Sequence, residues 1–385
     1  MWLFQEWQEK RLSDIADLSK GIGISKDQLS ADGEPCILYG ELYTKYKSET
    51  IKEVISKTNI DNTKLVKSKA NDVIIPCSGE TAEEIATARC VLKDDILLGG
   101  DLNIIRLHGY DGSFMSYQLN GKRKYDIAKV AQGVSVVHLY GEHLKNIKTI
   151  NPSLNEQKKI ANLLSLLDER ISTQNKIIDK LQSLIKGINQ EVFNDVGYSY
   201  KLGSICEIKS GYSGNQLIKK EGLKVSRIET ISGHRINLKR VGYVSPFKNS
   251  ESYKLQVGDI LFSNINSVEY IGNTAFVDKD YDLYHGMNLL RLIPNSKIVV
   301  PFYLYLLLNT RKMLNRFKTI CNKAVSQASI NQTDLGKTII VLPSLENHIK
   351  ICTIYEVLFS KIEAEKNCLS LYNVQKQYLL RQMFI

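Results

Sequence analysis

PSLNEQKKIANLLSLLDERISTQNKIIDKLQSLIKGINQEVF, residues Pro152 to Phe193, opens on a proline and then runs with helical periodicity for about forty residues. That is too long for an ordinary globular helix. Counted from Ile160 in alternating steps of four and three, the seam positions are Ile160, Leu164, Leu167, Ile171, Gln174, Ile178, Leu181, Ile185, Ile188 and Val192. Only Gln174 is polar, and such a seam asks for a partner helix. The partner lies 191 residues further on, from Pro343 to Phe384: PSLENHIKICTIYEVLFSKIEAEKNCLSLYNVQKQYLLRQMF. Its corresponding positions include Ile351, Tyr355, Leu358, Ile362, Glu365, Leu369 and Met383, with Glu365 falling where Gln174 falls. The chain carries an internal duplication.

The segments between the helices repeat as well. Arg11 to Leu18, followed by Gly21, is answered by Lys201 to Ile208, followed by Gly211. Asn71-Asp72-Val73-Ile74 is answered by Gly258-Asp259-Ile260-Leu261, Asn103 to Leu107 by Asn288 to Leu292, Val134-Ser135 by Val325-Ser326, and Leu144 by Leu335. Each block mixes short strand-like runs with one or two helices. The expected fold is α+β: two mixed α/β domains joined by two long antiparallel helices that form a coiled coil, with an internal pseudo-two-fold repeat. The divisions fall at 1–151 for the first globular domain, 152–197 for the central helix, 198–342 for the second globular domain and 343–385 for the C-terminal helix.

A duplicated unit in one chain tends towards approximate two-fold symmetry, which sets the helices antiparallel. Each helix is about 50 Å long at ~1.5 Å per residue and would act as a spacer between the blocks. Gln174 and Glu365 then lie near its middle. They either form a buried polar pair that fixes register or reach solvent at the seam edge.

The chain has 385 residues, 51 Lys plus Arg against 41 Asp plus Glu, a net charge of +10 and a pI near 9.0. This balance is compatible with a nucleic-acid partner without requiring one. Seven scattered cysteines without a Cys-x-x-Cys pair read as reduced thiols. Glu6 and Glu9 interrupt any signal-peptide core, and the longest apolar run, Phe302 to Leu308, is far below the ~20 residues of a membrane span. A cytoplasmic protein with no membrane partner is expected.

Motifs for catalysis are missing. Gly336-Lys337-Thr338 has Asn331 where a phosphate-binding loop needs glycine, and Gly21-Ile22-Gly23 lacks the third glycine of a dinucleotide turn. His138 and His143 are five apart, off a common helix face. An Asn/Asp-Pro-Pro-Tyr/Phe clamp and a Gly-x-Ser-x-Gly elbow are both absent. No metal site, catalytic residue or bound cofactor is therefore expected. What the blocks offer instead is hydroxyls, amides, aromatics and bases in loops, the groups that anchor phosphates and read base edges. The candidates are Tyr39, Tyr43, Lys45, Ser78, Glu80 and Thr81 in the first block, and Lys209, Tyr212, Arg227, Asn264 and Asn266 in the second.

Over its full length the chain resembles the specificity subunits of type I restriction-modification systems. The resemblance rests on Leu144 to Lys148, Asn151 to Ala161, Leu166-Leu167-Asp168 and Gly133 to Leu139, and on the recurrence of the helix near the C-terminus. The second copy departs from the pattern: Glu346-Asn347-His348 stands where Glu-Gln is expected, and Phe359 where Asp168 stands in the first. The resemblance implies two target-recognition domains, each reading half of a bipartite, asymmetric site in double-stranded DNA. It also implies docking of two methyltransferase subunits and two restriction subunits, with S-adenosylmethionine, ATP and Mg bound by those partners. Two other readings are a self-contained DNA modification enzyme with an unrecognised site and a coiled-coil scaffold that does not bind DNA.

Overall fold

The computed structural model describes residues 7–61, 63–133, 136–193, 196–324 and 327–384. The expected match of Val134-Ser135 with Val325-Ser326, and Glu6 near the N-terminus, lie outside them. The chain divides into two compact units, one of Met1–Ile178 with Ala364–Ile385 and one of Asp179–Glu363. Each long helix, Leu154–Val192 and Leu345–Gln382, is thus shared between the units rather than standing apart from both.

The first unit is built on the strand Asp72–Pro76, buried at all five positions. It lies inside a sheet ordered Ala16–Lys20, Leu102–Leu107, Asp72–Pro76, Arg89–Val91, Thr50–Ile51, antiparallel except for the last, parallel pair. Alternation along the strands feeds two cores. Val73, Ile75 and Ile105 pack with Met115 and Leu119 of helix Gly112–Asn120, whereas Ile74, Leu102 and Ile104 pack with Ile37 and Leu98 on the opposite face. Covering both faces is why these strands read as apolar runs rather than as alternating ones.

The second unit repeats the device. Its sheet runs Cys206–Ser210, Leu290–Pro294, Ile260–Phe262, Thr274–Phe276, all antiparallel. Ile260, Phe262, Leu290 and Leu292 face one core, and Leu261, Ala275 and Leu289 the other. The turn before the central strand is also repeated, with left-handed Asn71 (φ 83°) in one copy and Gly258 (φ 97°) in the other. After it, Asp72 Oδ2 accepts from Lys69 N (2.8 Å) and Asp259 Oδ2 from Gln256 N (2.7 Å).

Both aspartates hold an arginine: Arg106 Nη2 lies 2.7 Å from Asp72 Oδ2, and Arg291 Nη2 lies 2.6 Å from Asp259 Oδ2. The strand registers differ, however. Arg106 sits one residue beyond the Ile105–Val73 pair, directly across from Asp72, whereas Arg291 pairs with Leu261 and reaches diagonally to Asp259. By strand register Arg291 therefore corresponds to Ile104, two residues from the arginine that the sequence match aligns with it. Side chains two apart share a face of the sheet, so both registers serve the same ion pair.

Each unit closes next to its long helix. Gln8–Arg11 pairs with Lys148–Asn151 in the first, and Tyr198–Lys201 with Ile339–Leu342 in the second. The two long helices run antiparallel inside each unit. In the first, Ile160 and Leu164 pack with Leu380, Phe384, Phe114 and Tyr117, with Met383 against the same cluster. In the second, Tyr355 Oη donates to Asn189 Oδ1, and Phe193 packs 5.4 Å from Tyr303 and 6.2 Å from Tyr355. The α+β fold with paired long helices and an internal repeat is the one expected from the sequence.

Along the seam, Ile160, Leu164, Leu167, Gln174, Ile178 and Ile362 are buried; Ile171, Leu181, Ile351, Leu358, Glu365 and Leu369 are partly buried. Gln174 Nε2 donates to a carboxylate oxygen of Glu365 and to Glu365 O (3.2 Å). Deeper in the first unit, Lys376 Nζ of the second helix lies 2.6 Å from Asp168 Oδ1 and 2.5 Å from Glu49 Oε2. Tyr117 Oη and Ser48 Oγ donate to Asp168 Oδ2, both at 2.8 Å. Burial pushes the Asp168 carboxyl up, but Lys376 and these hydrogen bonds outweigh it and hold the group below its ordinary range. Glu49 is pushed up, its burial exceeding the pull of Lys376. In the other unit Phe359 occupies the position corresponding to Asp168 and packs edge-on against Phe302 and Tyr355.

A second divergence sits at the start of the helices. Gln157 clasps the first unit, its Oε1 accepting from Asp111 N (2.9 Å) and its Nε2 donating to Pro152 O (2.8 Å). His348, at the same offset in the second copy, is fully buried and stacks on Tyr303 at 3.9 Å. Neither of its ring nitrogens has a hydrogen-bond partner among the described residues, and burial pushes its pKa down to about 4.

Candidate nucleic-acid interface

In the first unit, Tyr39 is exposed in the turn before helix Glu41–Thr44, and Tyr43 lies on that helix. Tyr43 Oη donates to Ser78 O at 3.1 Å, and burial raises its pKa, so the phenol stays a donor. Ser78 lies in Ser78–Gly79, which pairs with Val137–His138, and its hydroxyl is 3.3 Å from His138 Nδ1. Tyr140 then stacks on His138 and meets His143 edge-on, with centroids 6.2 and 5.6 Å away. Tyr43 and Ser78 thus come together with the His138–His143 run, whose two histidines sequence reasoning weighed together only as metal ligands. Among the described residues no group of three His, Cys, Asp or Glu is placed to hold a metal ion.

Other candidates have internal duties. Lys45 Nζ lies 2.6 Å from Glu41 Oε1 and 2.6 Å from Ser56 Oγ, compensating a buried carboxylate whose other oxygen accepts from Leu38 N. Thr81 caps helix Ala82–Ile85 by accepting from Glu84 N (3.2 Å), while neighbouring Glu80 is exposed. In the second unit Lys209 belongs to the strand Cys206–Ser210, not to a loop, and pairs with Glu207 at 3.1 Å. Arg227 sits 3.5 Å from Glu229. Asn264 Nδ2 donates to Ile330 O (3.4 Å), tying two segments distant in sequence, whereas Asn266 bonds Ser263 Oγ (3.1 Å) and Ser267 N (2.8 Å) and so shapes its own turn.

Tyr212 is stacked flat on Phe247, centroids 3.6 Å apart and planes 6° from parallel, with Tyr253 edge-on to both. This aromatic group packs on Val225, Val244 and Leu223 of the hairpin Leu223–Val225/Gly242–Val244. Sequence reasoning found Tyr212 but not Phe247 or Tyr253, which lie more than thirty positions away and meet it only through the fold.

A family model described as the type I restriction modification DNA specificity domain matches residues 5–183 and again 197–370. The chain belongs to this family, with two copies of a domain whose role is DNA specificity. Among its relatives, the protein named as the MjaX type I restriction enzyme specificity subunit of Methanocaldococcus jannaschii is 40% identical over 180 residues, 46% of this chain and 42% of the relative. The match thus spans less than half of that relative's length. The MjaVIII specificity subunit of the same organism is 25% identical over 332 residues, 79% of this chain and 75% of its own. In fold, the chain is similar to the S subunit of a type I restriction-modification system from M. genitalium, with a TM-score of 0.63 at 18% identity over 100% of this chain and 98% of that one.

Proposed function

We propose that the chain is the sequence-reading subunit of a type I restriction-modification complex, without catalysis of its own, each unit recognising one half of a bipartite, asymmetric site in double-stranded DNA. The observation that carries this reading is the pairing of a duplicated scaffold with unlike candidate surfaces. The family match falls once on each copy, and the Asp72–Arg106 and Asp259–Arg291 braces recur. The candidate surfaces on the two copies differ: a Tyr-Ser-His group in one unit and the Tyr212–Phe247–Tyr253 stack in the other. Unlike surfaces fit unlike half-sites, with phosphate contacts supplying salt-dependent affinity and base contacts the discrimination.

Docking of two methyltransferase subunits, which would bring S-adenosylmethionine, and of two restriction subunits, which would bring ATP and Mg, belongs to the same reading. It is supported by apolar side chains that the long helices leave exposed outside the seam, among them Leu163, Leu166, Leu184, Val357, Leu371 and Val374. A cytoplasmic location follows from such partners. The test is to express the chain with its methyltransferase and sequence the methylated positions in genomic DNA. One two-part motif is expected, and replacing Tyr39, Ser78 and His138 should change one part only. Methylation without sequence preference, or a change in both parts, would refute the reading.

A further inference from the structure

Ile218 is as exposed as a residue in an open chain, at 104% of reference, and Leu217 beside it is 37% exposed. Single exposed aliphatics are common and need no function. This one stands at the end of a built pedestal. Leu217 N donates to Tyr243 O (2.8 Å), and Gln216 bridges to Val244. On the other side the chain re-enters at Gly222, whose φ of +85° and approach to Val244 O leave no room for a Cβ. It then joins the hairpin Leu223–Val225/Gly242–Val244, with the Tyr212–Phe247–Tyr253 cluster packed beneath. The free part is a short tip of Ile218, Lys219, Lys220 and Glu221, all exposed. Lys209 and Lys254 in the same unit are each paired with an acid, at 3.1 and 3.5 Å, whereas the tip presents two adjacent lysines beside its aliphatic end.

We propose that this tip is a DNA wedge: Ile218 enters between two stacked base pairs of the half-site read by the second unit, while Lys219 and Lys220 hold the flanking phosphates. The inference rests on the DNA-reading function proposed above and assigns to it a specificity-determining residue. An aliphatic side chain held out by a braced loop next to two cations has the chemistry of apolar wedges that unstack a base step and kink the duplex. A duplex supplies the two adjacent lysines with anions at regular spacing along the strand beside the base step. Wedging favours flexible steps, so it would contribute sequence preference without hydrogen bonds to base edges.

The experiment uses the full chain with its methyltransferase partner and duplexes carrying 2-aminopurine at successive positions of the recognised site. Positions that the partner methylates are left unsubstituted, because methyltransferases extrude their target base. The wild-type complex should raise the fluorescence at one step of one half-site. Ile218→Ala should abolish that signal and weaken specific binding on the order of tenfold, with non-specific binding unchanged. Ile218→Met should retain the signal, and Lys219→Gln with Lys220→Gln should lower the salt slope by about two while leaving the unstacked step in place. Sequence-specific binding with no unstacked step, or a step that survives Ile218→Ala, overturns the wedge and leaves the DNA-reading function standing. Loss of all sequence preference in the wild-type complex overturns both.

Discussion

Replacing Lys376 by Met removes the one ammonium that two inward-facing carboxylates share. Lys376 lies within 2.6 Å of both Asp168 and Glu49, and the side chains are only 12%, 8% and 8% exposed. Truncating one partner of a buried pair costs about 3–5 kcal/mol, because the other charge stays behind without compensation. Three features place this case at the lower end. Asp168 keeps its hydrogen bonds from Ser48 and Tyr117, and Arg89, drawn electrostatically to both carboxylates, remains. Glu49, already pushed up by burial, would take up a proton and so limit the loss. About 3 kcal/mol in a unit of this size corresponds to a fall of roughly 6–12 °C in its melting temperature. Calorimetry or circular dichroism at pH 7 should show this loss in the first unit's transition. The deficit should shrink as pH falls and the stranded carboxyls protonate. Asp168, depressed in the folded state, stabilises above the ordinary carboxylate range, and that contribution is lost as pH falls through its folded value. Glu49, raised in the folded state, acts in the opposite sense. A shift below about 2 °C for Lys376→Met at pH 7 would refute the argument.

Glu49→Gln should cost less than about 1 kcal/mol at pH 7, since it removes the carboxylate that burial disfavours and leaves the Lys376–Asp168 pair intact; urea denaturation would measure it. His348→Leu should reduce acid sensitivity. With a pKa of about 4 in the fold against 6.5 unfolded, His348 draws protons into the unfolded state, and up to about 3 kcal/mol is lost as pH falls between those values. Unfolding midpoints of the wild type and the Leu variant should therefore diverge below pH 6.5. Arg291→Met leaves Asp259 buried without its partner and should cost about 3–5 kcal/mol in the second unit, which Asp259→Asn in the same chain should partly restore in thermal melts. Gln174→Leu leaves the Glu365 carboxylate against an apolar neighbour and should lower the melting temperature of the first unit by several degrees.

The long helices were legible because their signal is local. A seam such as Ile160, Leu164, Leu167 repeats at helical spacing, and its copy starting at Pro343 repeats the pattern. The central strands were legible for a related reason, since Asp72–Pro76 and Ile260–Phe262 are short apolar runs after a turn. Their pairing was not, because no local pattern says that Asp72–Pro76 lies between Leu102–Leu107 and Arg89–Val91. The candidate contacts suffered most. Lys45 looks free in sequence, and only the fold brings Ser56 beside it and buries its neighbour Glu41. Tyr212 meets Phe247, and Ser78 meets His138, across distances in the chain that periodicity does not span. Ile218 passed unremarked because an apolar residue declares its exposure only once its surroundings are folded.

The two arginine braces bear on how such a protein can be re-engineered. Arg106 and Arg291 hold equivalent aspartates from strand positions two residues apart. A graft between the copies that superimposes arginine on arginine would slide the transplanted strand by two residues, close to 7 Å along the sheet. Every inward side chain would still face inward, so the chimaera would fold and keep its ion pair. The surface loops it carries would be displaced by the breadth of about two base pairs. Chimaeras cut by strand register, with Ile104 set on Arg291, should keep the transplanted loops in place, whereas those cut by sequence identity should carry them displaced.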